Sequence, residues 1–135
     1  MLQFFMAMDP PTATHQEHRV SARSRRVVFY DPPEVAEARA KLTAHLYRFT
    51  PPEPFRSAVR LTVKWCFPRG CHADGEYRIK RPDTDNLQKL LKDCMTKCGF
   101  WVDDALVASE ICEKFWAETS GIFIRIEEIY PCEAL

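Results

Sequence analysis

The chain has 135 residues, 46% of them hydrophobic and 28% charged, which predicts one folded domain over residues 1–135 and excludes intrinsic disorder. The longest apolar run, residues 2–8 with Gln3 inside it, is too short to span a bilayer and does not resemble a signal peptide, so we expect a cytoplasmic protein with no membrane partner. The formal net charge is zero, but residues 1–100 carry 17 lysines and arginines against 11 acids, so the neutral total is compatible with a basic nucleic-acid-binding face.

The first half of the chain predicts two strands and one helix. Residues 1–8 form a strand that ends at Asp9-Pro10-Pro11, and residues 27–30 form a short second strand. Residues 12–26 lack periodicity and contain His15 and His18. A helix begins at Asp31-Pro32-Pro33-Glu34, with Asp31 at or near its N-cap, and ends at Pro51-Pro52. Its apolar stripe comprises Val35, Ala38, Leu42, Leu46 and Phe49.

The second half predicts strands around a central helix. Residues 58–67 alternate as a half-buried strand, and residues 68–77 form a loop. The helix runs from about Asp83 to Lys97, with Gly99 as its stop. Residues 107–118 and 121–129 are expected to pair as an antiparallel hairpin. The predicted fold is α+β, a small mixed or antiparallel sheet with two main helices packed on it.

Acidic residues concentrate around the central helix. Asp83 and Asp85 lie at its start, and Asp103 and Asp104 follow its end. Carboxylates are the ligands that Mg²⁺ prefers, and Mg²⁺ promotes phosphodiester hydrolysis. Lys89 shares a helix face with Asp85 at i, i+4, where its charge can steady the carboxylate or contact a phosphate. The pattern therefore suggests a divalent-metal site, with Asn86 as a further candidate contact to a phosphate or to a water.

Ordinary structural roles remain open for these residues. Asp83 can serve as an N-cap, Asp85 and Lys89 as a surface ion pair, and Asp103 and Asp104 as solvated turn residues. A fifteen-residue helix also carries the chain about 22 Å from Asp83, while residues 99–103 span at most about 17 Å. Asp103 or Asp104 reaches Asp83 only if the chain doubles back, if the helix is shorter, or if a partner subunit completes the site.

Two other groups of residues have both structural and functional interpretations. Six cysteines lie at spacings that do not reproduce a zinc site, and Cys94 and Cys98 fall on the apolar face of the central helix, so we expect inert thiols. The arginines between residues 19 and 26 form either a solvated loop or a phosphate-binding arm. The candidate DNA contacts are Arg19, Arg23, Arg25, Arg26, Arg78, Lys80, Arg81 and Asn86.

The central segment resembles the RusA family of Holliday-junction resolvases. Asp83-Thr84-Asp85-Asn86-Leu87-Gln88-Lys89 fits the family form D-x-D-N-L-x-K, and Gly99, Trp101 and Asp103-Asp104 fit its second block. The resemblance is dense over residues 81–107. Beyond them, the family's P-P-S-x-N after the first strand is only partly kept, since residues 9–14 retain the prolines and lose the asparagine.

This resemblance implies a homodimeric, Mg²⁺-dependent endodeoxyribonuclease, with Mn²⁺ as a substitute, that nicks four-way junction DNA symmetrically in recombination and repair. Such enzymes are common in prophages. By motif position, Asp83, Asp85 and Asp104 are the metal-binding aspartates, Lys89 is the essential lysine, and Asp103 is a weaker metal candidate. Two alternatives are a flap- or fork-specific metal nuclease and a catalytically silent junction-binding protein.

Overall fold

The computed structural model describes residues 1–14, 19–21 and 28–131, with the backbone alone for residues 19–21 and 28–30. The chain forms strands, helices and two short 3₁₀ turns in the following order: β1 (Leu2–Met6), β2 (Arg19–Ser21), β3 (Val28–Tyr30), α1 (Pro33–Leu46), a 3₁₀ turn (Tyr47–Phe49), β4 (Val59–Pro68), α2 (Thr84–Cys98), a second 3₁₀ turn (Asp104–Leu106), β5 (Val107–Ala117) and β6 (Gly121–Glu128). This is the α+β fold that the sequence predicts. Strand β2, which pairs with β3, was not predicted.

The main sheet is mixed, with four strands in the order β1-β6-β4-β5. The predicted hairpin between the last two strands is wrong, because β4 lies between them. Strand β5 pairs with β4 in parallel, and β6 pairs with β4 in antiparallel fashion. The parallel pair is joined through α2, the crossover that such a pair requires. Strand β4 has the most buried residues of the four strands, and it lies between β6 and β5 with both of its edges covered.

The core lies between one face of this sheet and the two helices. The inward residues of β4 alternate as predicted, and Val59, Leu61, Val63 and Trp65 are fully buried. Leu87, Leu90 and Leu91 of α2 and Leu42 and Leu46 of α1 pack against them in the same cluster. Burial of these side chains stabilises the fold and orients α2 on the sheet. Among the described residues, no helix is long and apolar enough to cross a membrane.

The N-cap of helix α1 is one residue after Asp31, the residue predicted at or near that position. Its N-cap is Pro32, with Pro33 in the first turn, and no side chain caps it. Asp31 instead pairs with Arg39. The Arg39 guanidinium lies 3.1 Å from the Asp31 carboxylate and 3.6 Å from the carboxylate of Asp93 on α2. The fixed backbone angle of proline suits the helix start without a capping side chain, and Arg39, which pairs with both Asp31 and Asp93, links the two helices.

Candidate active site

The two aspartates at the start of α2 are exposed and have no protein partner among the described residues. Asp83 occupies the N-cap position in extended backbone, but its side chain accepts no capping hydrogen bond. Asp85 follows in the first turn, near the positive end of the helix dipole, which favours negative charge. The capping role is therefore not what Asp83 performs here, and both carboxylates are free to bind a ligand.

Lys89 lies one turn further along α2 and is also exposed. Within the described part of the chain it forms no ion pair, so the surface pair with Asp85 that the i, i+4 spacing allowed is absent. Asn86 is half-buried beside Asp83. The first two turns of α2 thus present two carboxylates, one amide and one ammonium group to a ligand.

A buried hydrogen-bond network sets the rotation of α2 that exposes these groups. The indole nitrogen of Trp65 donates to Gln88 at 2.9 Å, and the Gln88 amide donates to Glu110 at 3.1 Å. The Lys92 ammonium reaches the other oxygen of Glu110 at 2.7 Å. Gln88 faces the sheet and is only 3% exposed, whereas Lys89, about 100° further round the helix, is exposed.

We expect Gln88→Leu to lower the free energy of unfolding by about 1–3 kcal/mol, because it leaves the buried Trp65 nitrogen without an acceptor. Urea denaturation followed by circular dichroism measures this change. Gln3→Leu, an equal change at an exposed position of β1, is the control and should cost about 0.5 kcal/mol or less. Equal losses in the two variants would contradict the role of the network.

Asp103 and Asp104 lie at the opposite end of α2 from Asp83. Gly99 ends the helix with φ 88°, and the Trp101 indole then donates to Thr96 at 2.8 Å, which ties the following turn to the last turn of the helix. Asp103 caps the 3₁₀ turn by accepting from the Ala105 amide at 2.9 Å. Phe100 and Trp101 are buried and anchor this turn, whereas Val102 is 51% exposed.

The length of β5 gives the approximate distance between the acids at the start of α2, Asp83 and Asp85, and those after its end, Asp103 and Asp104. The Lys114 ammonium lies 2.7 Å from the carbonyl of Pro82, the residue before Asp83. Seven residues of extended strand separate Lys114 from Val107, at the end near Asp104, which corresponds to about 23 Å. Accordingly, the described residues contain no group of three or more His, Cys, Asp or Glu placed to hold a metal ion.

A cavity of about 300 Å³ opens beside Asp83. One wall comes from the start of α2 and the residues before it, and the other comes from Thr12 and Thr14 in the segment after β1. Thr14 is 5% exposed, so it belongs to the wall of the cavity rather than to the surface. Sequence reasoning did not single out these threonines, although they lie in the segment where the asparagine of the family pattern is missing.

The structure corrects one candidate DNA contact. Arg78 is only 7% exposed, and its guanidinium donates to the Arg81 carbonyl at 2.6 Å, so it does not face DNA. Lys80 and Arg81 are exposed, as a DNA contact requires. Arg23, Arg25, Arg26, His15 and His18 lie outside the described residues, and the structure describes only the backbone of Arg19.

The described cysteines are free thiols, with Cys94 and Cys98 buried on the apolar face of α2 as predicted. Burial raises the pKa of both thiols, and it raises that of Cys112 to about 11. These thiols are therefore protonated at neutral pH, whereas metal binding requires the thiolate. Their surroundings favour a packing role.

Comparison with known proteins adds independent information. The sequence model of the family described as Endodeoxyribonuclease RusA matches residues 9–127. The crossover junction endodeoxyribonuclease rusA of Lactococcus phage r1t is 28% identical over 130 residues, which are 94% of this chain and 98% of the relative. The crossover junction endodeoxyribonuclease RusA of Escherichia coli K12 is 61% identical over 28 residues, 21% of this chain and 23% of the relative. The likeness thus covers nearly all of the phage protein and a short segment of the bacterial one.

Proposed function

Because the chain belongs to the RusA family of endodeoxyribonucleases, we propose that it resolves Holliday junctions by paired, symmetric nicks in DNA recombination and repair. The observation that carries this proposal is the pair of exposed carboxylates, Asp83 and Asp85, which have no partner among the described residues at the start of α2. The substrate is four-way junction DNA in the cytoplasm. Lys80 and Arg81, exposed just before Asp83, are suited to contact its phosphates.

We assign Mg²⁺ as the cofactor, with Mn²⁺ as a substitute, and Asp83 and Asp85 as residues that would hold it. Two exposed carboxylate groups are a suitable donor set for a hard cation that keeps several of its waters. When bound, Mg²⁺ stabilises charge on the phosphate oxygens and activates a water. Lys89, on the same exposed side of the helix, would neutralise or protonate the oxygens of the scissile phosphate.

We place the third carboxylate, Asp104, in the partner subunit of a homodimer, with Asp103 as the adjacent candidate. Support comes from the separation of about 23 Å within one chain and from the lack of a three-acid group among the described residues. In a two-fold symmetric dimer, each subunit would supply its Asp104 to the site of the other subunit, so two equal sites would form. The same symmetry suits a substrate that must be cut in two opposed strands.

A synthetic four-way junction, labelled on each strand in turn, tests this function. With Mg²⁺ we expect paired nicks at symmetric positions in two opposed strands, and no nicks in EDTA. A replication fork and a linear duplex of the same sequence serve as control substrates. Equal or faster cleavage of the fork would instead support a flap or fork nuclease, and binding without nicks in either metal would support a silent junction-binding protein.

A further inference from the structure

Three consecutive backbone carbonyls before Asp83 are all bound by cationic side chains. The Lys114 ammonium donates to the carbonyl of Lys80 at 2.9 Å and to that of Pro82 at 2.7 Å. The Arg78 guanidinium donates to the carbonyl between them, that of Arg81, at 2.6 Å. The segment that leads into the proposed metal ligands is thus held from two directions by Arg78 and Lys114.

Lys114 lies on the inward face of β5, where a charged residue is unusual. It is opposite the buried Trp65 of β4 in the parallel ladder, and it is half-buried. An ammonium group has three donors and no acceptor, so a buried one needs oxygens around it. Carbonyls 80 and 82 supply two of them, and both must point at the same nitrogen, which restricts the backbone of residues 80–82.

Arg78 is held by packing as well as by its hydrogen bond. Its guanidinium lies 3.7 Å from the ring centre of Phe67 and 4.8 Å from that of Trp116, a cation–π arrangement in a side chain only 7% exposed. Its backbone amide donates to the Lys114 carbonyl at 3.0 Å. The two cations are therefore part of one rigid unit, joined to the edge of the sheet.

We propose that Arg78 and Lys114 are positioning residues that fix the backbone before Asp83 and thereby direct its carboxylate toward the metal that Asp85 also binds. This inference rests on the proposed function. Asp85 is oriented by the helix, whereas Asp83 precedes the helix and its side chain has no hydrogen bond of its own. The direction of the Asp83 carboxylate therefore depends on the loop, and the loop depends on these two cations.

The test compares Lys114→Met with Lys64→Met in the purified full-length protein. Lys114 donates to the carbonyl of Pro82 at 2.7 Å, whereas Lys64 is exposed on the opposite face of the sheet, with its ammonium 5.6 Å from the ring centre of Phe123. Mutation of a group that orients a metal ligand typically lowers metal affinity by about 10- to 100-fold. We expect Lys114→Met to weaken Mn²⁺ binding, measured by calorimetry without DNA, by about 10-fold or more. Lys64→Met should leave the Mn²⁺ affinity within about twofold of the wild type, a change too small for loss of a ligand-orienting group.

Three further measurements distinguish positioning from folding. Lys114→Arg, which keeps a cation at this position, should recover part of the Mn²⁺ affinity, and junction binding in EDTA should not change. If Lys114→Met does not fold, Arg78→Lys tests the same unit and should also weaken Mn²⁺ binding. Wild-type Mn²⁺ affinity in a folded variant would overturn the positioning role alone. A wild-type protein that neither binds Mn²⁺ nor nicks would overturn the proposed function and this inference with it.

Discussion

Asp83→Asn is expected to abolish nicking of a four-way junction while leaving junction binding in EDTA intact. An amide is a poorer metal ligand than a carboxylate, and loss of several kcal/mol of charge stabilisation lowers the rate by about 1,000-fold or more. Asp85→Asn should behave in the same way. Fold stability should fall by at most about 1 kcal/mol in either variant, the usual helix-dipole contribution of a first-turn carboxylate, because neither carboxylate forms a hydrogen bond or ion pair with another described residue. Single-turnover cleavage of a labelled junction measures the rate.

Asp93→Asn provides the matched control, because it makes the same charge change on the same helix. Asp93 lies two turns beyond Asp85 and pairs with Arg39 on α1. Its loss should reduce thermal stability modestly and leave the cleavage rate within a few-fold of the wild type, as expected for a partly exposed ion pair. Junction cleavage that survives Asp83→Asn or Asp85→Asn would contradict the assignment of the site.

Mixing two inactive variants is expected to restore activity if the site is shared between subunits. Asp83→Asn and Asp104→Asn should each be inactive as homodimers. In a mixed dimer, one site combines both substitutions, while the other combines an intact Asp83 with an intact Asp104. After free subunit exchange half of the dimers are mixed, so about a quarter of the wild-type sites should return. The restored product should be a single nick rather than a pair.

The same experiment distinguishes the arrangements that the sequence leaves open. If Asp104 reached Asp83 within its own chain, every subunit in the mixture would remain defective and no nicks would form. A mixture of Asp83→Asn with Asp85→Asn is the control, because both substitutions lie at the same end of α2 and no mixed dimer regains an intact site. Activity in that control would show that the variants are not fully inactive.

The helix that carries the candidate site was predictable from local sequence. The helix from Asp83 to its glycine stop was predicted correctly, because the apolar spacing of its leucines, together with Gly99, specifies where a helix lies and where it ends. The exposure of Asp85 and Lys89 follows from the same periodicity. Strand β4 was predicted for a similar reason, since strict alternation of apolar residues indicates a strand with one buried face.

Errors arose where a residue's role depends on distant parts of the chain. Arg78 was assigned to DNA because of its basic neighbours, but Phe67 and Trp116 bury it. Lys114 was not singled out, although a lysine on the inward face of a strand, between Cys112 and Trp116, was a visible signal. The predicted hairpin failed because a short connection between two strands does not require them to pair, and here β4 lies between β5 and β6.

The sequence by itself determined the candidate site residues, the helix that presents them and the family to which the chain belongs, because each depends on residues close together in the chain. Only the tertiary structure decided that Asp104 lies at the far end of α2 and that Arg78 and Lys114 hold the loop before Asp83. Those relations depend on strand order and register, which bring residues tens of positions apart into contact. Local patterns carry little information about such pairings, since many arrangements bury the same apolar faces.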